Sequence, residues 1–90
     1  MVNEYHFESN DFFAYLKSIR LNHSACVDHV NIIQNMMNTG VVDEELLNGD
    51  YIDFVDKWLS EYKPMVKSKD SKRRFRYAVI KYREFKGVNT

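Results

Sequence analysis

One cysteine, one proline and three glycines stand in the ninety residues, and each scarcity excludes something. A lone Cys26 cannot close an intramolecular disulfide, so nothing points to a disulfide-stapled secreted domain. So few turn-forming residues argue against a sandwich of many short strands. No apolar run approaches the roughly 18–20 residues of a membrane span, and the N-terminus carries no signal-peptide pattern. A cytoplasmic protein that does not enter a membrane is expected. A glycine-rich phosphate loop is missing, and no Ser/His/Asp or Cys/His set has an orienting partner. No catalytic residue, metal or cofactor is therefore expected.

Net charge is absent too, with thirteen Lys and Arg against thirteen Asp and Glu. The zero hides an asymmetry. Residues 1–62 hold Lys17, Arg20 and Lys57 against eleven acids, a net −8. Residues 63–90 hold ten cations against Asp70 and Glu84, a net +8. Such a split hints at an acidic or basic partner, or at two halves that neutralise each other within one fold.

What is present suffices for one small folded domain. A chain of this length buries roughly 60–65% of its unfolded surface. Its 44% apolar and 14% aromatic content is that of a globular protein. Residues 1–8 show no sustained period and are expected to form an N-terminal arm, with Tyr5 and Phe7 laid across the core.

Helical periods follow. Asn10 and Asp11 suit a helix start, and Phe12, Leu16 and Ile19 share a face, which predicts a helix over 11–20. Ser24 reads as the next N-cap. Val27, Val30, Ile33 (or Ile32) and Met37 form its stripe, and Gly40 ends it. Asp43 opens the short turn "DEELL", closed by Gly49. Asp50 caps a fourth segment whose stripe is Ile52, Val55, Leu59 and Tyr62, with Phe54 and Trp58 beside it. Pro64 stops that helix by about Lys63. Ser68 or Ser71 caps the last helix. There Phe75, Ala78, Val79, Tyr82 and Phe85 (or the Lys86 stem) share a face, and Gly87 terminates it. An all-α bundle of four to five short helices is the economical reading.

Three patterns invite chemistry and are read structurally. His23, Cys26 and His29 stand at intervals of three, as zinc ligands can, but no fourth ligand has suitable spacing. Cys26 is expected half-buried and both histidines on the surface. The acids Asp43, Glu44, Glu45, Asp50, Asp53 and Asp56 fall in first helical turns, where they face the positive end of the dipole. A magnesium site would need them to converge. Tyr5, Phe7, Phe12, Phe13 and Tyr15 could stack on bases, but helical spacing turns most of them inward.

The final stretch "SKRRFRYAVIKYREFKG" is different. At about 100° per residue, Lys72, Arg76 and Arg83 fall on one flank of the apolar stripe, about 60–100° from Phe75, and Arg73 continues that flank outward. Arg74 and Lys81 occupy the opposite flank. Lys63, Lys67 and Lys69 precede the helix and extend the patch. Tyr77 and Ile80 lie outside the stripe, among the arginines, as in a contact surface. The predicted phosphate-contacting residues are Lys69, Lys72, Arg73, Arg76 and Arg83, since guanidinium forks match phosphate oxygens.

Together, "FFAYLKSI", a second helix after a serine, and the terminal "RRFRYAVIKYREFKG" resemble the N-terminal core-binding domain of tyrosine recombinases and phage-type integrases. Arg74, Ala78, Tyr82 and Phe85 match that family's closing helix, and the resemblance spans about residues 9–87. It implies a SAM-like helical fold that clamps one side of a DNA duplex. It also implies a separate catalytic domain, so the chain is expected to be the N-terminal part of a longer protein. Two alternatives come from the residues alone. One is a protein-interaction or self-associating module in which acidic and basic halves of different copies meet. The other is a regulator whose acidic half mimics DNA.

Overall fold

The computed structural model describes residues 8–88, so the expected arm, residues 1–7 with Tyr5 and Phe7, lies outside the described residues. Among the described residues five helices run in order: α1 (Ser9–Ser18), α2 (His23–Asn38), α3 (Asp43–Leu47), α4 (Tyr51–Tyr62) and α5 (Lys69–Phe85). The fold is an all-α small bundle.

Side-chain caps start three of these helices. The Asn22 side chain accepts from Ala25 N–H at 2.8 Å and opens α2. Asp50 Oδ1 accepts from Ile52 N–H and Asp53 N–H and opens α4. Ser68 Oγ accepts from Ser71 N–H at 3.1 Å and opens α5. Each satisfies amide donors that the first turn leaves without a carbonyl. Asp50 is the cap the sequence predicts, and of the two serines offered for α5 it is Ser68 that caps. Ser24 is not, because Asn22 begins α2 two residues earlier. Asn10 is not either: it lies inside α1, which begins after Glu8 with no side-chain cap.

Three helices end in one way. At the ends of α1, α2 and α5, two hydrogen bonds fold the chain back. The pairs are Arg20 N–H to Lys17 O with Leu21 N–H to Leu16 O, Gly40 N–H to Met37 O with Val41 N–H to Met36 O, and Gly87 N–H to Glu84 O with Val88 N–H to Arg83 O. This Schellman pattern needs a left-handed residue at its centre. Gly40 (φ 102°) and Gly87 (φ 83°) supply it without cost, whereas in α1 the position is Arg20, at φ 72°.

The core gathers around α5, which packs against each of the other four helices. Phe75, Ala78, Val79 and Tyr82 are buried there, the face the sequence predicts. Phe12 meets Tyr82 edge-on at 5.3 Å between ring centroids and lies 5.4 Å from Phe85. Tyr82 OH donates to Asp43 Oδ1 at 2.7 Å, so a buried phenol ties α5 to the start of α3. Trp58 Nε1–H donates to Thr39 Oγ1 at 2.9 Å and joins α4 to the end of α2.

The other predicted stripes are partly displaced. On α2 the buried set is Cys26, His29, Ile32, Ile33, Met36 and Met37. Val27 is exposed and Val30 half-buried. The face is rotated by one residue because Cys26 and His29 take core positions. Thus Cys26 is fully buried and His29 keeps only 7% of its surface, against the expectation of a half-buried thiol and a surface imidazole. On α4 the inward residues are Val55, Trp58 and Leu59, while Ile52 and Tyr62 are exposed. Ile19 of α1 is exposed as well.

Candidate nucleic-acid interface

The basic C-terminal third divides into cations bound by the protein and cations that are not. Arg74 grips Asp28 of α2 with two hydrogen bonds, from Nε at 3.0 Å and Nη2 at 2.7 Å. That contact raises its pKa above the ordinary guanidinium value. Arg76 Nη2 donates to Asp56 Oδ1 of α4 at 2.9 Å. Lys86 lies 3.3 Å from Glu8 Oε1 and 3.7 Å from Asp43 Oδ2. Lys81 meets Glu84 within α5 at 3.3 Å. The pairs of Arg74, Arg76 and Lys86 all join the basic third to the acidic part of the chain. Much of the charge asymmetry is therefore neutralised inside one molecule.

Arg83 corrects the predicted phosphate-binding set. It keeps only 4% of its surface. Its Nε donates to Leu46 O at 2.7 Å and its Nη2 to Asn48 O at 2.9 Å. Those carbonyls close α3, where the helix presents acceptors without intrahelical donors. The guanidinium also lies over the Tyr51 ring, 5.7 Å from its centroid. Burial lowers its pKa, partly offset by Tyr51 and Asp50. The wheel of α5 alone puts Arg83 on an open flank, but α3 covers that flank at the C-terminal end. Arg83 thus does not share a surface with Lys69, Lys72 and Arg73.

Five cations remain, and they fall in eleven consecutive residues: Lys63, Lys67, Lys69, Lys72 and Arg73. One acid interrupts them. Asp70 lies 3.9 Å from Arg73 Nη1, with both side chains mostly exposed. Such a contact contributes little, about 0–1 kcal/mol, and is screened by salt. Among the described residues the four lysines have no ion pair. Lys63 ends α4, and Val66 N–H returns to Lys63 O at 3.0 Å. This closes a β-turn with Pro64 and Met65 at its centre, the position where proline presets the backbone. Lys67 and Lys72 line one depression of about 290 Å³ beside Pro64 and Val66, which places the turn and the start of α5 on a common surface. Lys72 and Arg76 are half-buried, and Lys69 and Arg73 are exposed. Arg76 stands at the margin, engaged by Asp56, and its Nε is buried without a hydrogen-bond partner among the described residues.

The other candidates resolve into structure. His23 is exposed and touches Phe13 edge-on, while Cys26 and His29 face the core. Among the described residues no three His, Cys, Asp or Glu side chains gather as a metal site would require. The acids of α3 and α4 serve locally. Glu45 accepts from Val42 N–H, Asp43 from Tyr82, and Asp50 caps α4. Asp53 meets Lys57 at 3.7 Å, and Asp56 holds Arg76. Phe12 is in the core and Phe13 and Tyr15 pack against it, so they form no stacking platform. Tyr77 is exposed, as expected, whereas Ile80 is half-buried. No described helix is long and apolar enough to cross a membrane. Among the protein families, curated proteins and solved structures compared with this chain, none matches it.

Proposed function

We propose that this domain binds duplex DNA through its phosphates, using the α4–α5 turn and the first turn of α5. The supporting observation is the cluster Lys63, Lys67, Lys69, Lys72 and Arg73, cationic and without strong partners among the described residues. Cations at the foot of a helix neutralise phosphates and position the duplex without reading its sequence. The domain performs no catalytic step of its own in this reading. A cooperating catalytic domain fits the resemblance to recombinase core-binding domains, with its SAM-like arrangement. Ala78, Tyr82 and Phe85 of the resembling helix serve the bundle, and Arg74 holds Asp28.

The test is duplex binding across a salt series. Five phosphate contacts give a slope of roughly −4.5 in log K against log salt, at about −0.9 per contact. Lys69→Ala and Arg73→Ala should each flatten that slope by about 0.9. Absence of duplex binding at low salt would refute the proposal. Head-to-tail self-association rested on the opposed charges of the two halves. Internal pairing by Arg74, Arg76 and Lys86 accounts for much of that opposition and leaves this reading without an observation of its own.

A further inference from the structure

Met65 is the most exposed of the large hydrophobic side chains among the described residues, with 90% of its surface in solvent. It does not stand on a loose loop. Pro64 precedes it in the β-turn closed by Val66 N–H and Lys63 O, and Val66 packs against the core. The turn therefore presents an apolar knob at a fixed place. Lys63 and Lys67 flank it in sequence, and Lys72 joins Lys67 and Pro64 around the adjoining depression. The nearest acid of that depression, Asp56, is engaged by Arg76 at 2.9 Å.

We propose that Met65 is a wedge that enters the minor groove of bound duplex DNA and partly unstacks one base step, bending the duplex. This rests on the phosphate-binding reading above. A side chain aimed into the minor groove needs cations on both sides of it to meet the two flanking backbones, and Lys63 and Lys67 stand there. An unbranched apolar side chain is among those that proteins insert between base steps. A single methionine buries far less apolar surface than an acyl chain, which by itself binds a membrane only marginally, so Met65 beside a basic patch is a weak lipid anchor. One wedge, by contrast, needs one side chain. Unstacking is easiest at flexible pyrimidine–purine steps, so a duplex with a central TA step should be preferred to a stiff A-tract.

The experiment uses the whole chain and a duplex of about 30 base pairs, long enough to report a bend, with a fluorophore at each end. Energy transfer reports bending, and the salt slope reports phosphate contacts. The wild-type chain should bring the ends together and bind the TA duplex several-fold more tightly than the A-tract duplex. Met65→Ala should keep the salt slope but lose most of the bend and the TA preference. Met65→Leu should restore both. The exposure of Met65 leaves the fold untouched by either change. Binding and bending that survive Met65→Ala would overturn the wedge and leave phosphate binding standing. No duplex binding by the wild-type chain would overturn both. Met65-dependent binding to vesicles of phosphatidylserine, without duplex binding, would assign the knob to a lipid surface and overturn both as well.

Discussion

Replacing Arg83 separates a structural arginine from a ligand-binding one. Its two hydrogen bonds come from a charged donor, and such bonds contribute about 1.5–3 kcal/mol each. The sum is not the expected loss. Asn48 is exposed, so its carbonyl can turn to water once the guanidinium is gone. Leu46 is fully buried, and its carbonyl stays dry and without its donor, at about 1–3 kcal/mol. The stem of Arg83 also packs in the interior, and each lost methylene removes about 0.8 kcal/mol. Against this, the variant no longer has to desolvate a cation. The net expectation for Arg83→Ala is a destabilisation of roughly 2–4 kcal/mol.

In a domain of this size that corresponds to a fall in Tm of roughly 8–32 °C, at about 4–8 °C per kcal/mol. Arg83→Lys should fall between, since one ammonium cannot span both carbonyls as the fork does. Thermal unfolding followed by circular dichroism measures all three proteins. Duplex binding below the variants' Tm supplies the second readout, and its salt slope should not change. An Arg83→Ala protein with wild-type Tm and a flattened slope would show that the side chain faces phosphate, and the assignment to α3 would be wrong.

Two further outcomes follow from other residues. His29 is buried, and its Nδ1 lacks a hydrogen-bond partner among the described residues. Burial pushes its pKa below the ordinary 6.5; Asp28 pulls it back up, and Lys81 and Arg74 push it down again. The unfolded chain then takes up the proton first, so stability should fall as pH drops below about 6.5 toward the lower folded value. Urea titrations at stepped pH should show this decline, and His29→Gln should remove it; an identical decline in the variant would exclude His29 as the source. Arg20 holds a left-handed conformation that costs a residue with a Cβ about 1–2 kcal/mol. Arg20→Gly relieves this but gives back unfolded-state entropy, so a net gain of about 0.5–1 kcal/mol is expected. A calorimetric Tm at or below the wild-type value would count against strain at that position.

Local signals in the sequence located some local partners and missed others, since Asn22 rather than Ser24 caps α2 through Ala25 N–H. Asp50 and Ser68 cap helices through amides two or three residues away, so composition alone locates them. Phe75, Ala78, Val79 and Tyr82 repeat at helical spacing with no competing polar residue, and all four are buried. The phase of α2 was less legible because its inward face contains Cys26 and His29. A valine beside them outranks them on hydropathy, although the small thiol fits the interior better than Val27 does. The fate of the arginines was not legible at all. Arg74 and Asp28 are separated by 46 positions, and Arg83 and Leu46 by 37. A wheel describes one helix by itself and carries no information about which neighbour covers its flank.

That limit sets a quantitative bound on the proposed interface. From Arg74 onward, every basic residue of α5 has a protein partner, and Lys86 at its C-cap does too. At or before Arg73 none has a close one among the described residues. The boundary falls where Phe75 enters the core and the helix becomes enclosed by its four neighbours. The cations of α5 ahead of Phe75 can meet a polyanion without breaking a close ion pair among the described residues. All ten cations of the basic third would give a salt slope near −9, at about −0.9 per contact, whereas the five without strong partners give roughly −4.5. A slope near the steeper value would require Arg74, Arg76, Lys81 and Lys86 to leave their carboxylates, and Arg83 its carbonyls, when DNA binds. Asp28→Ala would then strengthen binding, because Arg74 would no longer have to be released. A slope near the shallower value, unaffected by Asp28→Ala, fits a bundle that keeps its internal pairs and binds by its corner.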